Sequence, residues 1–294
     1  MHPVTRQGLH CPRRMDAAFV KLADVLGRYQ AVLLDAFGVL VDGTSALPGA
    51  AELVAELARR RMPYLVVTND ASRLPETASR RFRGFGLDIA TEDILTSGQL
   101  IGPYMAERGL AGARCLVLGT EDSQRYVTDA GGVVCPIDAD ADYDLFAVCD
   151  DEGYPFLKGV NATVSALFRA FDAGREIHLC LPNPDLVFPA GGGRFGFTSG
   201  AVALLFEAAL ARRYADRRIE FDRLGKPHRP LFDAAAARLG TRQILMIGDQ
   251  LETDIAGARR AGLDAALLVT GVSRWQSGAA GGADGPTWLL ERLW

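Results

Sequence analysis

The chain has 294 residues, of which 49% are hydrophobic and 23% charged, so it can bury a large core and exceeds the usual size of one compact domain. A net charge of -4 and a pI near 5.6 offer no basic field to attract nucleic acid, which argues against a nucleic-acid-binding protein. No run of about 18 apolar residues occurs, and the N-terminal segment lacks the hydrophobic centre of a signal peptide, so we expect a soluble cytoplasmic protein with no membrane partner. The five cysteines are spread without a Cys-x-x-Cys pair, which indicates buried free thiols in a reducing compartment.

The first part of the chain alternates strands and helices, as expected for a parallel α/β sheet. The predicted elements here are a loose tail over 1–14, a short helix with Phe19, Leu22 and Leu26 on one face, and strands over 31–35 and 64–69. A helix is predicted after Pro48 and Gly49 from Leu53, Val54, Leu57 and Ala58 at helical spacing, and further helices over 75–82 and 91–108. The run at 31–35 is apolar without alternation until it ends in Asp35, which is typical of a parallel strand covered on both faces.

A second strand and helix series begins near residue 114 and predicts a separate α/β domain. Its predicted strands are 115–118, 132–135, 145–149 and 177–181, and its helices are 122–130, 160–173 and 199–213. We expect this domain to cover 113–217 and to move as a body, inserted into a first domain made of 15–112 and 218–294. The returning part is predicted to hold helices over 230–239 and 253–261, strands over 244–249 and 265–269, a flexible loop over 277–285 and a last helix over 288–294.

Polar residues lie at the ends of three of the apolar strands. In parallel α/β sheets, ligands bind at the carboxyl ends of the strands. Asp35 ends one strand, Thr68 and Asn69 end the next, and Asp249 ends a third. Each has an ordinary alternative, since Asp before a turn and Thr or Asn before a helix are common structural choices.

Two further residues extend this set. Lys226 precedes a helix and could neutralise a carboxylate or a phosphate, although a lysine is most often exposed. Asp254 begins a helix, where the helix dipole alone would favour it. Together with the strand-end residues they supply a nucleophilic carboxylate, a hydroxyl, a cation and a carboxylate pair, the groups needed for phosphoryl transfer around a hard divalent cation.

The order and spacing of these residues resemble the haloacid dehalogenase-like (HAD) hydrolase superfamily, in particular its class IIA phosphatases of sugar phosphates, nitrophenylphosphate and pyridoxal phosphate. The matching segments are DAFGVLVDG at 35–43, VTNDASR at 67–73, PNPDLVFP at 182–189, GKP at 225–227 and IGDQLETD at 247–254. The resemblance extends from about Tyr29 to Val272. It implies an α/β fold, with a Rossmannoid parallel-sheet core and an inserted α/β cap of the C2 type.

The resemblance also implies roles for individual residues. Asp35 would be the nucleophile, Thr68 and Lys226 would hold the phosphoryl group, and Asp254 would position Lys226 or a metal-bound water. The cofactor would be Mg²⁺, bound by Asp35, Asp249 and the backbone carbonyl of Phe37. The expected substrate contacts are Thr68, Asn69, Lys226 and, in the cap loop, Asn183, Asp185 and Arg194.

The chain departs from the pattern at Phe37, where phosphatases of this kind carry a second Asp that acts as general acid and base. A phenyl ring can do neither, so we expect slow turnover, a preference for aryl phosphates and accumulation of the covalent intermediate. His228 could replace the missing proton donor, although a surface histidine in a turn is the simpler interpretation. Dehalogenases of the superfamily carry an aromatic residue at this position and use no metal, so carbon–halogen hydrolysis stays open.

A glycine-rich segment over 191–196 fits G-x-G-x-x-G but does not follow a tight strand-to-helix turn, so it is a poor match to a nucleotide-binding site. The sequence therefore favours a Mg²⁺-dependent phosphohydrolase of a small phosphorylated metabolite, working through an aspartyl-phosphate on Asp35. A phosphoester-binding or regulatory protein with little turnover is the alternative from another class. A homodimer is left open, because nothing in the sequence fixes the oligomeric state.

Overall fold

The computed structural model describes residues 17–189, 194–271 and 283–294. The strands are β1 (Ala18–Phe19), β2 (Ala31–Asp35), β3 (Tyr64–Thr68), β4 (Ile94–Thr96), β5 (Arg114–Leu118), β6 (Val133–Val134), β7 (Leu145–Val148), β8 (His178–Leu181), β9 (Val187–Pro189), β10 (Phe195–Phe197), β11 (Asp222–Arg223), β12 (Ile244–Gly248), β13 (Asp264–Leu268) and β14 (Trp288–Leu290). The α-helices are α1 (Leu22–Val25), α2 (Ala50–Arg60), α3 (Pro75–Gly84), α4 (Ile101–Glu107), α5 (Glu121–Asp129), α6 (Phe156–Asp172), α7 (Ser199–Arg213), α8 (Arg229–Leu239) and α9 (Ala256–Arg260). Short 3₁₀ turns cover Leu26–Arg28, Thr91–Asp93 and Ser97–Leu100, and a π-helical turn covers Leu251–Ile255.

The larger sheet has seven strands in the order β1-β14-β13-β12-β2-β3-β4, and every neighbouring pair is parallel. The strands that end in site residues lie side by side, because β2 pairs with β12 on one edge and with β3 on the other. Since parallel strands end on the same edge of a sheet, this order brings the ends of β2, β3 and β12 together. The predicted α/β class is confirmed.

β9 and β10 form a separate antiparallel pair. A second parallel sheet has five strands in the order β11-β8-β7-β5-β6. Its strands lie between residues 114 and 223, and β11 belongs to it although the sequence prediction assigned 218 onward to the first domain. The two sheets share no strand, and the division into a core and an inserted domain stays a prediction. For brevity, the part from 113 to 223 is called the cap below, and the remainder the core.

Residues of both sheets meet in one continuous buried cluster. Alternate residues of a strand point to opposite faces, so Leu33 of β2 and Val117 of β5 belong to this shared cluster, whereas Leu34 and Leu116 face two separate clusters on the outer sides. Helices α4, α5 and α8 also contribute side chains to the shared cluster. The sheets are thus joined by packed apolar side chains as well as by the chain itself.

A row of hydrogen bonds joins the start of α5 in the cap to the main chain over 71–74 in the core. Thr120 Oγ1 donates to the Ser72 carbonyl (2.6 Å), Ser123 Oγ donates to the Ala71 carbonyl (2.8 Å), and Tyr126 Oη donates to the Arg73 carbonyl (2.5 Å). In addition, the amide of Leu74 donates to Asp122 Oδ2 (3.0 Å). These four side chains, called the α5 seam below, fix one corner of the cap against the segment that follows β3.

Three sequence predictions about elements are wrong. The last segment forms β14 instead of a helix, because Trp288–Leu290 pairs with β13 and buries Leu289 and Leu290. The predicted helix over 91–108 begins only at Ile101, since buried Ile94–Thr96 adds β4 beside β3. Phe19 lies in β1 and is 54% exposed, so it does not share a buried helical face with Leu22 and Leu26.

The remaining expectations concern membrane spans, the cysteines, and the predicted tail and loop. No helix within the described ranges is long and apolar enough to cross a bilayer. Cys115, Cys149 and Cys180 are buried free thiols as expected, whereas Cys135 is only partly buried and Cys11 lies outside the described residues. The tail over 1–14 and most of the loop over 277–285 also lie outside them.

Candidate active site

Asp35 lies at the end of β2 and is 5% exposed, at a place where the chain turns sharply. Its Oδ1 accepts a hydrogen bond from the amide of Ala36 (2.8 Å), which fixes the carboxylate relative to the turn. Gly38 follows with φ of +88°, and a Cβ there would come within 2.2 Å of Asp249 Oδ2. Glycine is therefore required both for the left-handed backbone and for the close approach of Asp249.

Lys226 joins two of the predicted site carboxylates. Its Nζ donates to Asp35 Oδ1 at 2.5 Å and to Asp254 Oδ1 at 2.7 Å, and its side chain is only 4% exposed. A buried ammonium requires such partners, because an unpaired charge away from water is costly. Although burial acts against it, the charges of Asp254 and Asp35 raise the pKa of Lys226, so it remains protonated.

The carboxylates of Asp35, Asp249 and Asp254 form one buried cluster in which ligand oxygens lie within 4.8 Å of one another. Burial, followed by the nearby charge of Asp254, raises the pKa of Asp35 well above its usual range, although Lys226 opposes this. Asp254 Oδ2 accepts hydrogen bonds from the amides of Asp249 and Gln250 (3.2 Å each), and its Oδ1 accepts one from Lys226 Nζ. Asp254 is thus engaged by protein donors on both oxygens.

Thr68 and Asn69 follow β3 directly beside Asp35. The Thr68 hydroxyl oxygen accepts from the amide of Asp70 (3.2 Å). Asn69 Nδ2 donates to Asp185 Oδ1 in the cap and to the Lys226 carbonyl (2.9 Å each), and its Oδ1 accepts from the Lys226 amide (2.7 Å). A single buried amide side chain therefore connects the end of β3, the Lys226 segment and the cap.

A cavity of about 350 Å³ lies over Asp35, and both sheets contribute to its wall. It is lined by Asp35, Phe37, Asp42, Gly43, Thr44, Thr68, Asn69, Asp70, Ser72, Arg73, Arg81, Asp150, Asp151, Glu152, Asn183, Asp185, Val187, Phe188, Thr198, Lys226, Gln250 and Thr253. Asn183 and Asp185 of the cap thus line this cavity, and their contact with a substrate stays a prediction. Arg194 is exposed and is not part of the described lining, so the structure does not bring it to the cavity.

Phe37, His228 and the glycine-rich segment differ in their position relative to the cavity. Phe37 lines the cavity, and its ring lies 5.5 Å from the Arg81 guanidinium carbon. His228 is absent from the described lining, and burial together with nearby Arg223 and Arg260 lowers its pKa, so nothing in its position favours proton donation to a substrate. Gly191, Gly192 and Gly193 of the glycine-rich segment over 191–196 lie outside the described residues.

Several charged residues of the cavity were not anticipated from the sequence. Arg73 and Arg81 come from the core, and Asp150, Asp151 and Glu152 come from the cap. A signal for the acidic group was present, because Asp150 follows the apolar run of β7 much as Asp35 ends the run of β2. The two sheets present the carboxyl ends of these strands to the same cavity.

Comparisons with known proteins place the chain in a family. The model described as haloacid dehalogenase-like hydrolase matches residues 32–132, and a second HAD-hydrolase-like model matches 223–294. Human chronophin is 30% identical over 282 residues, covering 92% of this chain and 90% of chronophin.

Two solved structures show similar folds. A possible sugar phosphatase of the HAD superfamily from Cytophaga hutchinsonii superposes with a TM-score of 0.79 at 30% identity, covering 94% of this chain and 98% of that one. A glycerol phosphate phosphatase from Mycobacterium tuberculosis, solved with magnesium, superposes with a TM-score of 0.78 at 25% identity, covering 95% and 78%. Matching family models at both ends of the core, a relative at this identity over nearly the whole chain, and the shared fold lead to one conclusion: the chain belongs to the haloacid dehalogenase-like hydrolases.

Proposed function

We propose that the protein is a Mg²⁺-dependent phosphohydrolase of a small phosphorylated metabolite, acting through an aspartyl-phosphate on Asp35. The observation that carries this proposal is the position of Asp35, held by Lys226 at the base of a cavity beside Thr68 and Asn69. The solved relatives described as phosphatases of a sugar phosphate and of glycerol phosphate support this substrate class. We further propose a cytoplasmic protein whose segment 113–223 serves as the cap, with no nucleic-acid or membrane partner.

The proposed chemistry uses residues of the chain in two steps. The Asp35 carboxylate attacks phosphorus, and the bond to the leaving oxygen breaks, which gives the aspartyl-phosphate and a leaving oxygen that takes up a proton to depart as an alcohol. Water then attacks phosphorus and releases Asp35 and inorganic phosphate. Lys226 and the Thr68 hydroxyl would hold phosphoryl oxygens, and Asp254 would keep the Lys226 ammonium oriented through the 2.7 Å contact.

The donor set fits Mg²⁺, because the clustered groups are buried carboxylate oxygens and hard cations prefer oxygen ligands. Asp35, Asp249 and the Phe37 carbonyl would hold the ion, since Asp254 is engaged by Lys226 and two amides. When bound, the ion supplies positive charge that offsets the charge of the phosphoryl group. The cluster also favours this function over a metal-free dehalogenase, for which three adjoining buried carboxylates have no evident use.

The test is phosphate release from glycerol phosphate, a sugar phosphate and p-nitrophenyl phosphate, measured with Mg²⁺ and with excess chelator. We expect activity that depends on Mg²⁺, is lost in Asp35→Asn and is retained in Asp88→Asn, which removes a 95% exposed carboxylate of the core. Acid quenching during turnover should trap phosphate on the protein at Asp35. Full phosphatase activity in excess chelator, or halide release from a 2-haloacid without phosphatase activity, would overturn the proposal.

A further inference from the structure

Among the residues that the structure describes, the groups next to Asp35 provide no effective proton donor for a leaving group. The Phe37 ring has no ionisable proton, and the Thr68 hydroxyl and Asn69 amide do not titrate in the working range. The Lys226 ammonium donates to two carboxylates. Burial acts to lower the pKa of Lys226, but the charges of Asp254 and Asp35 raise it overall, so Lys226 retains its proton. An alkyl leaving oxygen needs a proton as it departs, and a positioned acid accelerates such a step about 10²–10⁴-fold.

The opposite wall of the cavity carries acids of the cap. Asp150 lies just past β7, the central strand of the five-stranded sheet, and its amide donates to the Leu118 carbonyl of neighbouring β5 (3.1 Å). Asp35 and Asp150 therefore stand at the carboxyl ends of strands from two different sheets and line one cavity. The nearby α5 seam anchors this corner of the cap to the segment following Thr68.

The other acids of the core wall are held by hydrogen bonds or by an ion pair. Asp42 Oδ1 accepts from the amides of Thr44 and Ser45 (2.8 Å each). Asp70 accepts from Ser72 Oγ (2.6 Å) and pairs with Arg73 (2.9 Å). The hydrogen bonds from Thr44 and Ser45 lower the pKa of Asp42 to about 2, so Asp42 is a poor proton donor at neutral pH.

In the cap wall, Asp185 accepts from Asn69 Nδ2 (2.9 Å), a contact that also favours its ionised form, although burial raises its pKa. Asp150 is in no ion pair among the described residues and is half-buried; its Oδ1 accepts a hydrogen bond from the amide of its neighbour Asp151 (3.0 Å). Desolvation by burial, followed by the charge of Asp151, raises the pKa of Asp150 to about 7.

The charged and titratable groups facing Asp150 are its neighbours in the cap and the core segment opposite. The charges of Asp151 and, more weakly, of Asp70 disfavour the ionisation of Asp150, and the Asp151 amide opposes this by donating to its carboxylate. Burial acts to lower the pKa of Arg73, but nearby acids, Asp70 first and Asp150 among the others, raise it overall. The Arg73 guanidinium is paired with Asp70. Buried Cys149 and the half-buried Tyr154 phenol remain neutral, since burial raises both pKa values above their usual range.

We propose that Asp150 is the general acid of the reaction and gives its proton to the leaving oxygen of the phosphomonoester. This inference rests on the proposed function. As the Asp35 oxygen bonds to phosphorus and the ester P–O bond breaks, the proton of the Asp150 carboxyl passes to the leaving oxygen, which departs as an alcohol. In the second step, water attacks phosphorus, its proton passes to the Asp150 carboxylate, and the P–O bond to Asp35 breaks. Asp150 thus ends each cycle protonated and offsets the loss expected from Phe37.

The first experiment uses the unmodified protein and compares two leaving groups across pH. Glycerol phosphate has an alkyl leaving oxygen that needs the proton, whereas the nitrophenolate of p-nitrophenyl phosphate leaves without one. For the alkyl ester, kcat/KM should fall as pH rises through about 7, because Asp150 must be protonated to act. For the aryl ester this decline should be absent.

The second experiment uses variants and does not depend on absolute activity. Asp150→Asn should lower kcat/KM for glycerol phosphate about 10²-fold or more, while p-nitrophenyl phosphate is affected far less. Asp140→Asn, which neutralises a 97% exposed carboxylate elsewhere in the cap, should change neither ester. Asp151→Asn should keep the alkyl pH decline but move it to lower pH, since it removes a charge that raises the pKa of Asp150. Adding Phe37→Asp to Asp150→Asn should restore alkyl turnover from the core side.

The outcomes separate this inference from the proposed function. If neither ester is hydrolysed by the unmodified protein, the proposed function fails and this inference fails with it. If both esters are hydrolysed but Asp150→Asn lowers both equally, the function stands and the acid role of Asp150 is wrong. If instead Asp185→Asn shows the loss selective for the alkyl ester, Asp185 is the acid and this proposal is overturned. Because the pH comparison needs no variant, misfolding of Asp150→Asn cannot hide a failure.

Discussion

Replacing Lys226 with Met keeps the side-chain length but removes the ammonium that neutralises the buried carboxylate cluster. Lys226 Nζ contacts Asp35 at 2.5 Å and Asp254 at 2.7 Å, and neither partner is more than 7% exposed. Removing one partner of a buried ion pair costs about 3–5 kcal/mol, because the remaining charge stays desolvated. This is a large part of the roughly 5–15 kcal/mol by which a domain is stable.

The loss should depend on pH. Lys226 lowers the pKa of Asp35, which burial and neighbouring acids already raise, so its removal raises that pKa further. When the pKa of a carboxyl group is higher in the folded protein than in the unfolded chain, the unfolded chain loses its proton first as pH rises. The folded protein therefore loses stability between the unfolded pKa, near 4, and the folded pKa. The deficit of Lys226→Met should thus be small at about pH 5 and largest at about pH 8.

Urea denaturation at both pH values measures this deficit as a difference in the free energy of unfolding. Lys158→Met, in the exposed face of α6, is the matched control and should change stability little. Adding Asp254→Asn to Lys226→Met should recover part of the loss, since one of the carboxylates is then neutral. A deficit below about 1 kcal/mol at pH 8, or one that grows toward acid pH, would refute the view that Lys226 neutralises the cluster.

Three further outcomes are expected. Asp249→Asn should abolish Mg²⁺ binding in calorimetric titration while the circular dichroism spectrum stays that of the unmodified protein; undiminished binding would remove Asp249 from the ion site. Gly38→Ala should lower stability and activity together, because a Cβ would lie 2.2 Å from Asp249 Oδ2 on a backbone at φ +88°, and unchanged values of both would contradict the close packing. Asn69→Ala should lower the free energy of unfolding by about 1–3 kcal/mol, because it leaves the buried Lys226 amide without its acceptor; an unchanged urea midpoint would show that the amide finds another partner.

The parts that could be predicted from the sequence share one physical origin. Continuous apolar runs mark parallel strands, and the residues that end such runs meet at one edge, so Asp35, Thr68 and Asp249 could be grouped before their distances were known. Helix α7 was likewise predicted with its observed bounds, Ser199–Arg213, from its apolar content.

The parts that could not be predicted depend on contacts between distant segments. Asn69 meets Asp185 across 116 residues, which no local pattern encodes. β14 is three residues long and is a strand only because the edge of β13 is available to pair with it. Asp150 was hidden for a similar reason: an acid after a strand is usually exposed, and its burial requires the core segment that faces it.

The shared apolar cluster bears on how the protein unfolds. Leu33 and Val117 lie in the same buried cluster, as do side chains of α4, α5 and α8, so separating the two sheets would expose apolar surface of both at once. Two sheets that share a buried apolar cluster unfold together in one transition and not one after the other. The chain should accordingly show a single cooperative thermal transition, and a fragment cut at residue 113 or 223 should not retain native structure.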